Sequence, residues 1–330
     1  MTHPFRSCYN GGEGVRFAME MREQLLGRYG VRKSAAQKNA FIEYAVDYAD
    51  GLGIFAAVET GGKRIRSRNI VFGDLQHARV LITAHYDTCA RLPFSNFMTP
   101  NNWPIVIVTE GLLLLAMGWA GWQCGELAAD ALRAVSCPGI LAGLAGWMIG
   151  IAVSVLLLAL MLVGPANPHN ANDNTSGVLF VLRAMERFRE KPGVAYVLFD
   201  NEEKGLLGAS AFIAEHPQAA RRCLIVNMDC IGDGKSLLYT GTKRAMAHPL
   251  AKRILAALEE RSGIYGKKAV SGEFPQWLYP SDQMLFPRGT AFAALKGERL
   301  LYLDRIHTAR DTLLDETNLE YLLDVLDQSL

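Results

Sequence analysis

Apolar and polar positions along this chain follow two rhythms, and in one stretch the polar positions almost vanish. Residues 12–29 and 34–50 repeat apolar positions every three to four residues, as amphipathic helices do. In the second, Phe41, Ala45, Tyr48 and Leu52 share a face, Ser34 and Gln37 have the spacing of a capping box, and Gly51 and Gly53 stop the helix. "IFAAVET", "SRNIVFG" and "RVLITAHYD" then read as three strands divided by turn residues; the third, nearly all apolar up to Ala84, reads as an interior strand. Beyond residue 170, "NTSGVLFVLRAMERF", "GLLGASAFIAEH", "HPLAKRILAALEERSG" and "DETNLEYLLDVLDQSL" read as helices. "GVAYVLFD", "CLIVNMD", "LLYTGT" and "TAFAALKG" read as strands. Strands alternating with helices predict a three-layer α/β fold around a mostly parallel mixed central sheet.

Between these parts, from Pro104 to Val163, lie two long apolar runs separated by "QCGELAADALRAVSC". The second, Gly139 to Val163, has no charged residue and would extend roughly 37 Å as a helix, against a hydrocarbon core of about 30 Å. The first, Ile105 to Trp122, would extend about 27 Å and carries Glu110. Trp103 and Trp122 bracket it where an aromatic belt would lie, and the pairs Gly139/Gly143 and Gly146/Gly150 would let two helices approach closely. The pattern predicts a transmembrane helical hairpin, helices about 104–122 and 139–163, inserted at residues 96–168 between parts 1–95 and 169–330 of one domain. Helices buried in a soluble oligomer are the alternative, since apolar length alone does not separate the two.

Both ends of a hairpin face one side of the bilayer. Arg91 and Arg183 flank the outer ends against Arg133 in the connection, a slight bias. The opening "MTHPFRSCYNGGEG" offers no apolar stretch to serve as a secretory signal, so the soluble mass is expected on the cytoplasmic side.

Half of the 330 residues are hydrophobic, enough for a large core, and the formal net charge of +1 gives no basis for nucleic-acid binding. Six cysteines without a CxxC fit reduced thiols better than a disulfide framework. Cys124 and Cys137, at the two ends of the connection, leave a disulfide open if that connection faces an oxidising compartment.

The chemistry-bearing residues cluster at strand ends, where open α/β sheets bind ligands. His85 and Asp87 follow "VLITA"; Asp200, Glu202 and Glu203 follow "VAYVLF"; Asp229 follows "CLIVNM". Asp173 opens the helix after the insert, and His307 sits in "DRIHTARDT". Three carboxylates within four residues repel one another unless a cation offsets them. Two histidines and several carboxylates at one sheet edge suit zinc. Taken singly, His85 could be a satisfied polar group, Asp173 an N-cap, Glu202 and Glu203 a solvated turn, and Asp229 a strand-end acceptor. The metal site requires one coincidence where those readings require several.

"SRNIVFG", "ITAHYDT", "NDNTSGV", "FDNEEKGLLGAS", "VNMDCIG", "SDQMLFPRG" and "HTARDT", spanning residues 66–312, resemble in wording and order the di-zinc aminopeptidases of the bacterial leucyl aminopeptidase and glutamate carboxypeptidase type. The insert from about 90 to 168 lies outside that pattern. The resemblance implies a zinc-peptidase fold and two zinc ions, one held by His85 and Asp229, the other by Glu203 and His307, with Asp173 bridging. It implies that Glu202 is the general base for a metal-bridging water, and that Asp87 orients the His85 imidazole. Adjacent Glu202 and Glu203 would then tolerate each other because one is neutralised by metal. Asp200 is expected to be structural. The chain departs from the family at Asn174, where many relatives have an acid, and at Ala309, where proline is usual. Cys89 reads as a small buried side chain close enough to affect metal binding, and His169 as a loop histidine.

The expectation is thus a membrane-anchored zinc exopeptidase, most simply an aminopeptidase acting on peptides, in a bacterial cytoplasmic membrane. Self-association through the glycine-rich membrane helices is the further expectation for partners. The alternatives are a carboxypeptidase or dipeptidase, for which Arg288 or Arg310 would have to bind the substrate carboxylate; a glutaminyl cyclase, which uses the same fold with one zinc; and a receptor-like relative without chemistry.

Overall fold

A computed structural model describes residues 11–330. The opening stretch read for a signal sequence, and Cys8 within it, fall largely outside the described residues. The first layer begins with helices α1 (Gly11–Gly27) and α2 (Ala35–Gly51). Ser34 caps α2 as the sequence predicts, its hydroxyl accepting the Gln37 amide while the Gln37 side chain accepts the Ser34 amide.

Among the described residues one eight-stranded sheet forms, from β1 (Ala56–Gly61), β2 (Ser67–Phe72), β3 (Val80–His85), β4 (Val194–Phe199), β5 (Leu224–Met228), β6 (Ser236–Thr242), β7 (Lys268–Phe274) and β8 (Gly289–Leu295). Their spatial order is β1-β2-β4-β3-β5-β8-β6-β7. β3 runs parallel to both β4 and β5, β5 to β8, and β6 to β7. The pairs β1–β2, β2–β4 and β6–β8 are antiparallel. The sheet is therefore mixed, with a parallel centre. The pattern reading missed β7, an edge strand with exposed and half-buried residues in place of an apolar run.

Period-two alternation separates the layers. Val80, Ile82 and Ala84 of β3 join one core cluster, together with residues of α1 and α2 and of α5 (Gly177–Arg187), α9 (Pro249–Arg261) and α10 (Glu316–Ser329). Leu81 joins the opposite cluster, with α6 (Leu207–Glu215) and α7 (Pro217–Arg222). This is the expected three-layer arrangement. A short helix α8 (Lys243–Met246) precedes α9.

The insert is an antiparallel pair, α3 (Trp103–Ala134) and α4 (Gly139–Val163), both long and apolar enough to cross a membrane. Their apolar faces are largely bare, Leu115 being 71% and Ile140 80% exposed. α3 continues twelve residues past the expected end at 122, because the Ala, Leu and Glu of the connecting run are strong helix formers. Cys124 consequently lies within a helix, roughly 15 Å along the axis from its end at Ala134. Cys124 and Cys137 are free, and no disulfide joins them. Of the glycine pairs, only Gly146 and Gly150 form the contact. A Cβ on Gly146 would lie 2.5 Å from the Gly125 carbonyl oxygen, and Gly150 opposes Gly121 in the same way, whereas Gly139 and Gly143 meet nothing within 4 Å.

Both ends of the hairpin are tied to the sheet domain. Before α3, the Met98 amide donates to the Leu303 carbonyl at 3.1 Å and the Leu303 amide returns the bond at 2.9 Å, while the Leu278 amide donates to the Pro100 carbonyl at 2.9 Å. After α4, the Arg91 amide donates to the Pro165 carbonyl at 2.8 Å and the Asn167 amide to the Cys89 carbonyl at 3.2 Å.

Candidate metal centre

Parallel pairing brings the candidate residues together. His85 pairs with Phe199 across β3 and β4, and Thr83 with Asn227 across β3 and β5, so the residues after Phe199 and Met228 emerge level with His85. The chain then turns through left-handed backbone at Asn201 (φ 55°) and Cys230 (φ 55°), and His307 itself has φ 60°. Such conformations are uncommon for side chains with a Cβ, and here they turn the chain off the strand direction where the candidate donors converge on one point.

That point is Asp173. Its Oδ1 lies 3.3 Å from His85 Nε2 and its Oδ2 lies 3.1 Å from His307 Nε2. Asp229 Oδ1 is 3.6 Å from His85 Nε2, and Glu203 Oε2 is 3.3 Å from His307 Nε2. Two of three donor groups among the described residues thus share one carboxylate: His85, Asp173 and Asp229 on one side, and Asp173, Glu203 and His307, with the Cys89 thiol, on the other; the third joins His85 to Glu202 and Glu203. The His85 Nδ1 lies 3.1 Å from the Asp87 carbonyl, which only accepts, so Nδ1 carries a proton and Nε2 is the nitrogen turned toward the carboxylates, the one a metal would take. Glu203 Oε1 is buried without a hydrogen-bond partner. Imidazole nitrogens facing carboxylate oxygens, plus an orphaned carboxylate oxygen, fit divalent cations of the zinc type.

Asp87 is buried behind this set. Its two oxygens accept the backbone amides of Glu202 (3.0 Å) and Glu203 (3.3 Å), and Oδ1 is 3.6 Å from His85 Nδ1. Asp200 forms a buried ion pair with Lys38 and accepts the Arg68 amide at 2.9 Å, which is the structural placement expected of it. Asn174 turns away from the donors, its Nδ2 donating to the Met228 carbonyl at 2.9 Å and its Oδ1 accepting the Gly177 amide at 3.0 Å. Cys89 is buried beside the second donor set, and His169 is exposed.

Burial of so many acids and imidazoles sets their protonation. Burial, reinforced by Glu203, drives Glu202 well above the ordinary glutamate value. Burial raises Glu203 to about 7 even against His307. At His307 burial would lower the value, but Glu203 and Asp173 outweigh it and hold the imidazolium to about 9. Burial likewise works against charge at His85, where Glu202, Asp173 and Asp229 more than offset it. Asp173 stays below the ordinary aspartate range, its burial overcome by the two histidines.

Three groups that the motif reading left unassigned support the site. Asp311 accepts the amides of Asn172 (2.8 Å) and Asp173 (3.0 Å) and so fixes the shared carboxylate; it lies inside the quoted "HTARDT", four residues after His307. Tyr279 donates to the Asp229 carbonyl at 3.0 Å. Arg32, fully buried, donates to the Tyr29 carbonyl at 2.6 Å, the Thr175 hydroxyl at 3.1 Å and the Tyr86 carbonyl, bracing the loops that carry Asp87 and Asp173. Nothing local in the sequence marks Tyr279 or Arg32, which act through contacts distant along the chain.

The donors open into a cavity of about 320 Å³ whose far walls include Phe97, Met98, Val106, Glu110, Tyr279 and Ile306. Among the described residues no Lys or Arg lines it. Arg288 donates to the Arg222 carbonyl and Arg310 to Ser95 and the Asp304 carbonyl.

The sequence pattern of Peptidase family M28 matches residues 160–327, a range holding Asp173, Glu202, Glu203, Asp229 and His307 but neither His85 nor Asp87. No curated protein matches. Among solved structures, a leucine aminopeptidase precursor from Bacteroides thetaiotaomicron is similar with TM-score 0.58 and 14% identity over 94% of each chain. A glutaminyl cyclase from the same organism, bound to N-acetylhistamine, is similar with TM-score 0.59 and 14% identity over 94% of this chain and 95% of that one. A glutaminyl cyclase from Porphyromonas gingivalis is similar with TM-score 0.57 and 15% identity over 94% of each. At such identities the likeness establishes the shared fold.

Proposed function

The chain belongs to Peptidase family M28, and on that premise we propose that it is a membrane-anchored zinc exopeptidase that removes the N-terminal residue of peptides. The observation that carries this reading is the placement of Asp173, with one carboxylate oxygen toward His85 and the other toward His307. A shared carboxylate between two donor sets supports two ions per chain, one with His85 and Asp229 and one with Glu203 and His307. Zinc bound there supplies Lewis acidity, polarising the scissile carbonyl and making a water acidic enough to lose its proton near neutral pH.

The remaining roles fall to the protein. Glu202 borders the cavity, and its carboxylate has no hydrogen bond or ion pair among the described residues, which suits a general base. In this role it takes the proton of the attacking water and passes it to the departing amine nitrogen. Asp87 holds the Glu202–Glu203 backbone and backs the His85 ring, so it positions base and ligands together. Among the described residues no Lys or Arg lines the cavity to await a substrate carboxylate, which favours an aminopeptidase over a carboxypeptidase.

The bare apolar faces of α3 and α4 support membrane insertion, and the ties at both hairpin ends favour a catalytic cavity near the bilayer surface. Lys33, whose ammonium donates to the Leu162 carbonyl at 3.2 Å, adds positive charge at the catalytic end of the hairpin and supports a cytoplasmic orientation. Protease accessibility in intact cells against inverted vesicles tests that orientation.

The activity test incubates detergent-purified protein with free and N-acetylated peptides and reads products by mass spectrometry, with Glu202→Gln as control. Stepwise loss from free N-termini alone, absent in the control, is the expected result. Loss of ammonia from N-terminal Gln would replace this reading with a cyclase, and trimming from the C-terminus with a carboxypeptidase.

A further inference from the structure

Glu110 is the one charged residue between Trp103 and Gln123 on α3, two turns from the helix start. An acid in an apolar span is costly unless it faces water or a partner. Glu110 has neither a hydrogen bond nor an ion pair among the described residues, yet it lines the same cavity as His85, Asp173, Glu203 and His307. Its position is fixed by the polypeptide just before the helix start: Met98 is paired to Leu303, Leu278 to Pro100, and Asn101 Nδ2 donates to the Arg299 carbonyl at 3.0 Å. The insert is thus a wall of the catalytic cavity as well as a membrane element.

Glu110 belongs to none of the candidate metal-donor groups among the described residues. Glu110 is exposed on α3 where it faces this cavity, and among the described residues no Lys or Arg lines the cavity to offer it a cation. The substrate of an aminopeptidase brings one. Its α-ammonium sits on the carbon adjacent to the scissile carbonyl, so a small cavity with metal donors on one wall and a carboxylate on another can engage both groups of one residue. Phe97, Met98, Val106 and Ile306 leave apolar surface for that residue's side chain.

We propose that Glu110 binds the free α-ammonium group of the peptide's N-terminal residue, so that the membrane hairpin itself supplies the specificity for unblocked, apolar N-termini. This rests on the aminopeptidase reading. It extends that reading to a residue outside the region matched by the family pattern. An N-acetylated peptide would lack the cation and leave the Glu110 carboxylate unpaired as the site is desolvated, which is how a polar site rejects an analogue.

The test is calorimetric binding of leucinol and N-acetyl-leucinol to full-length protein in detergent, comparing wild type, Glu110→Gln and Glu110→Asp, with metal content measured on each. Glu110→Gln should weaken leucinol binding by about tenfold to a hundredfold, the range for a hydrogen bond to a charged group, with Glu110→Asp weakened less and N-acetyl-leucinol unaffected. With a leucyl peptide, KM should rise while kcat is nearly kept, the signature of lost uniform binding. Equal leucinol binding by wild type and Glu110→Gln, no leucinol binding by wild type, or a loss confined to substrates beginning with Lys or Arg would overturn the proposal. Weakened leucinol binding in Glu110→Gln with no peptide turnover by wild type would instead overturn the aminopeptidase reading and leave Glu110 as an ammonium site.

Discussion

The amide of Glu202 donates to Asp87 Oδ1 at 3.0 Å, while the neighbouring amide of Glu203 donates to Oδ2 at 3.3 Å. One buried carboxylate therefore holds the backbone of the candidate base and of a candidate ligand, and stands 3.6 Å from Nδ1 of His85, another candidate ligand. Asp87→Asn would turn one acceptor into an amide donor facing an N–H. Metal affinity should fall about tenfold to a hundredfold, as for other groups that orient ligands, and kcat should fall with it. Metal content after dialysis against graded chelator, together with steady-state kinetics, measures both; unchanged metal retention would remove Asp87 from this role.

Glu202→Gln keeps the side-chain volume and removes the proton acceptor. The expected loss is about 10²- to 10⁴-fold in kcat with both ions retained, the size associated with a missing general base. If the variant also lost one ion, Glu202 would be a ligand.

Metal binding should weaken as pH falls. In the metal-free protein His307 is held to about 9 by Glu203 and Asp173 against its burial, and Glu203 is raised to about 7 mainly by burial. Both groups thus keep protons at neutral pH that a cation must displace. Each proton released makes the apparent Kd rise about tenfold per pH unit of acidification, so over the two units between pH 8 and pH 6 affinity should drop by at least about a hundredfold. Zinc titration in buffers of differing ionisation enthalpy counts the protons directly. A pH-independent Kd would mean that these groups are not displaced.

Much of the fold and the site can be read from the sequence because their signals are local. The apolar runs ending at His85, Phe199 and Met228 mark strands, and parallel pairing places their ends at one edge. The capping box from Ser34 to Gln37 is likewise a four-residue pattern. The reading fails where the determinant is distant or the pattern weak. Arg32 braces Thr175 across 143 residues, and Tyr279 reaches the Asp229 carbonyl across 50. Strand β7 is half exposed and shows little period-two contrast, and the polar end of α3 hides good helix formers under charge. Glu110 stands out as an acid in an apolar run, but only the folded chain brings it to the catalytic cavity.

Asp282 illustrates a different use of burial. Its side chain is fully buried, neither oxygen has a partner, and burial, aided by the Asp87 and Asp229 charges, raises its value to about 8. Between the ordinary aspartate value and about 8 the folded state holds a proton that the unfolded chain has lost, so stability should decline as pH rises through that window. Asp282→Asn carries no such proton. Its melting temperature relative to wild type should therefore climb from pH 6 to pH 9, and thermal melts at the two pH values measure the difference. A constant difference would show Asp282 to be ionised in the fold.

The two helices of the hairpin pack through facing glycines, Gly121 with Gly150 and Gly125 with Gly146, where a larger side chain would meet backbone. A Cβ on Gly146 would sit 2.5 Å from the Gly125 carbonyl oxygen and 2.8 Å from the Ala129 Cβ, and both neighbours are too rigid to move aside alone. Gly146→Leu must force α3 and α4 apart, with an overpacking cost of about 1–3 kcal/mol. Gly143, one turn earlier on the same helix, meets nothing within 4 Å, so Gly143→Leu is the matched control. The first variant should melt earlier in detergent and expose the connection around residues 135–138 to protease, while the second should behave as wild type. Since the start of α3 is fixed to the sheet domain through Met98, Pro100 and Asn101, Gly146→Leu should still bind zinc. Equal behaviour of the two variants would mean that the helices do not pack through the Gly125–Gly146 contact.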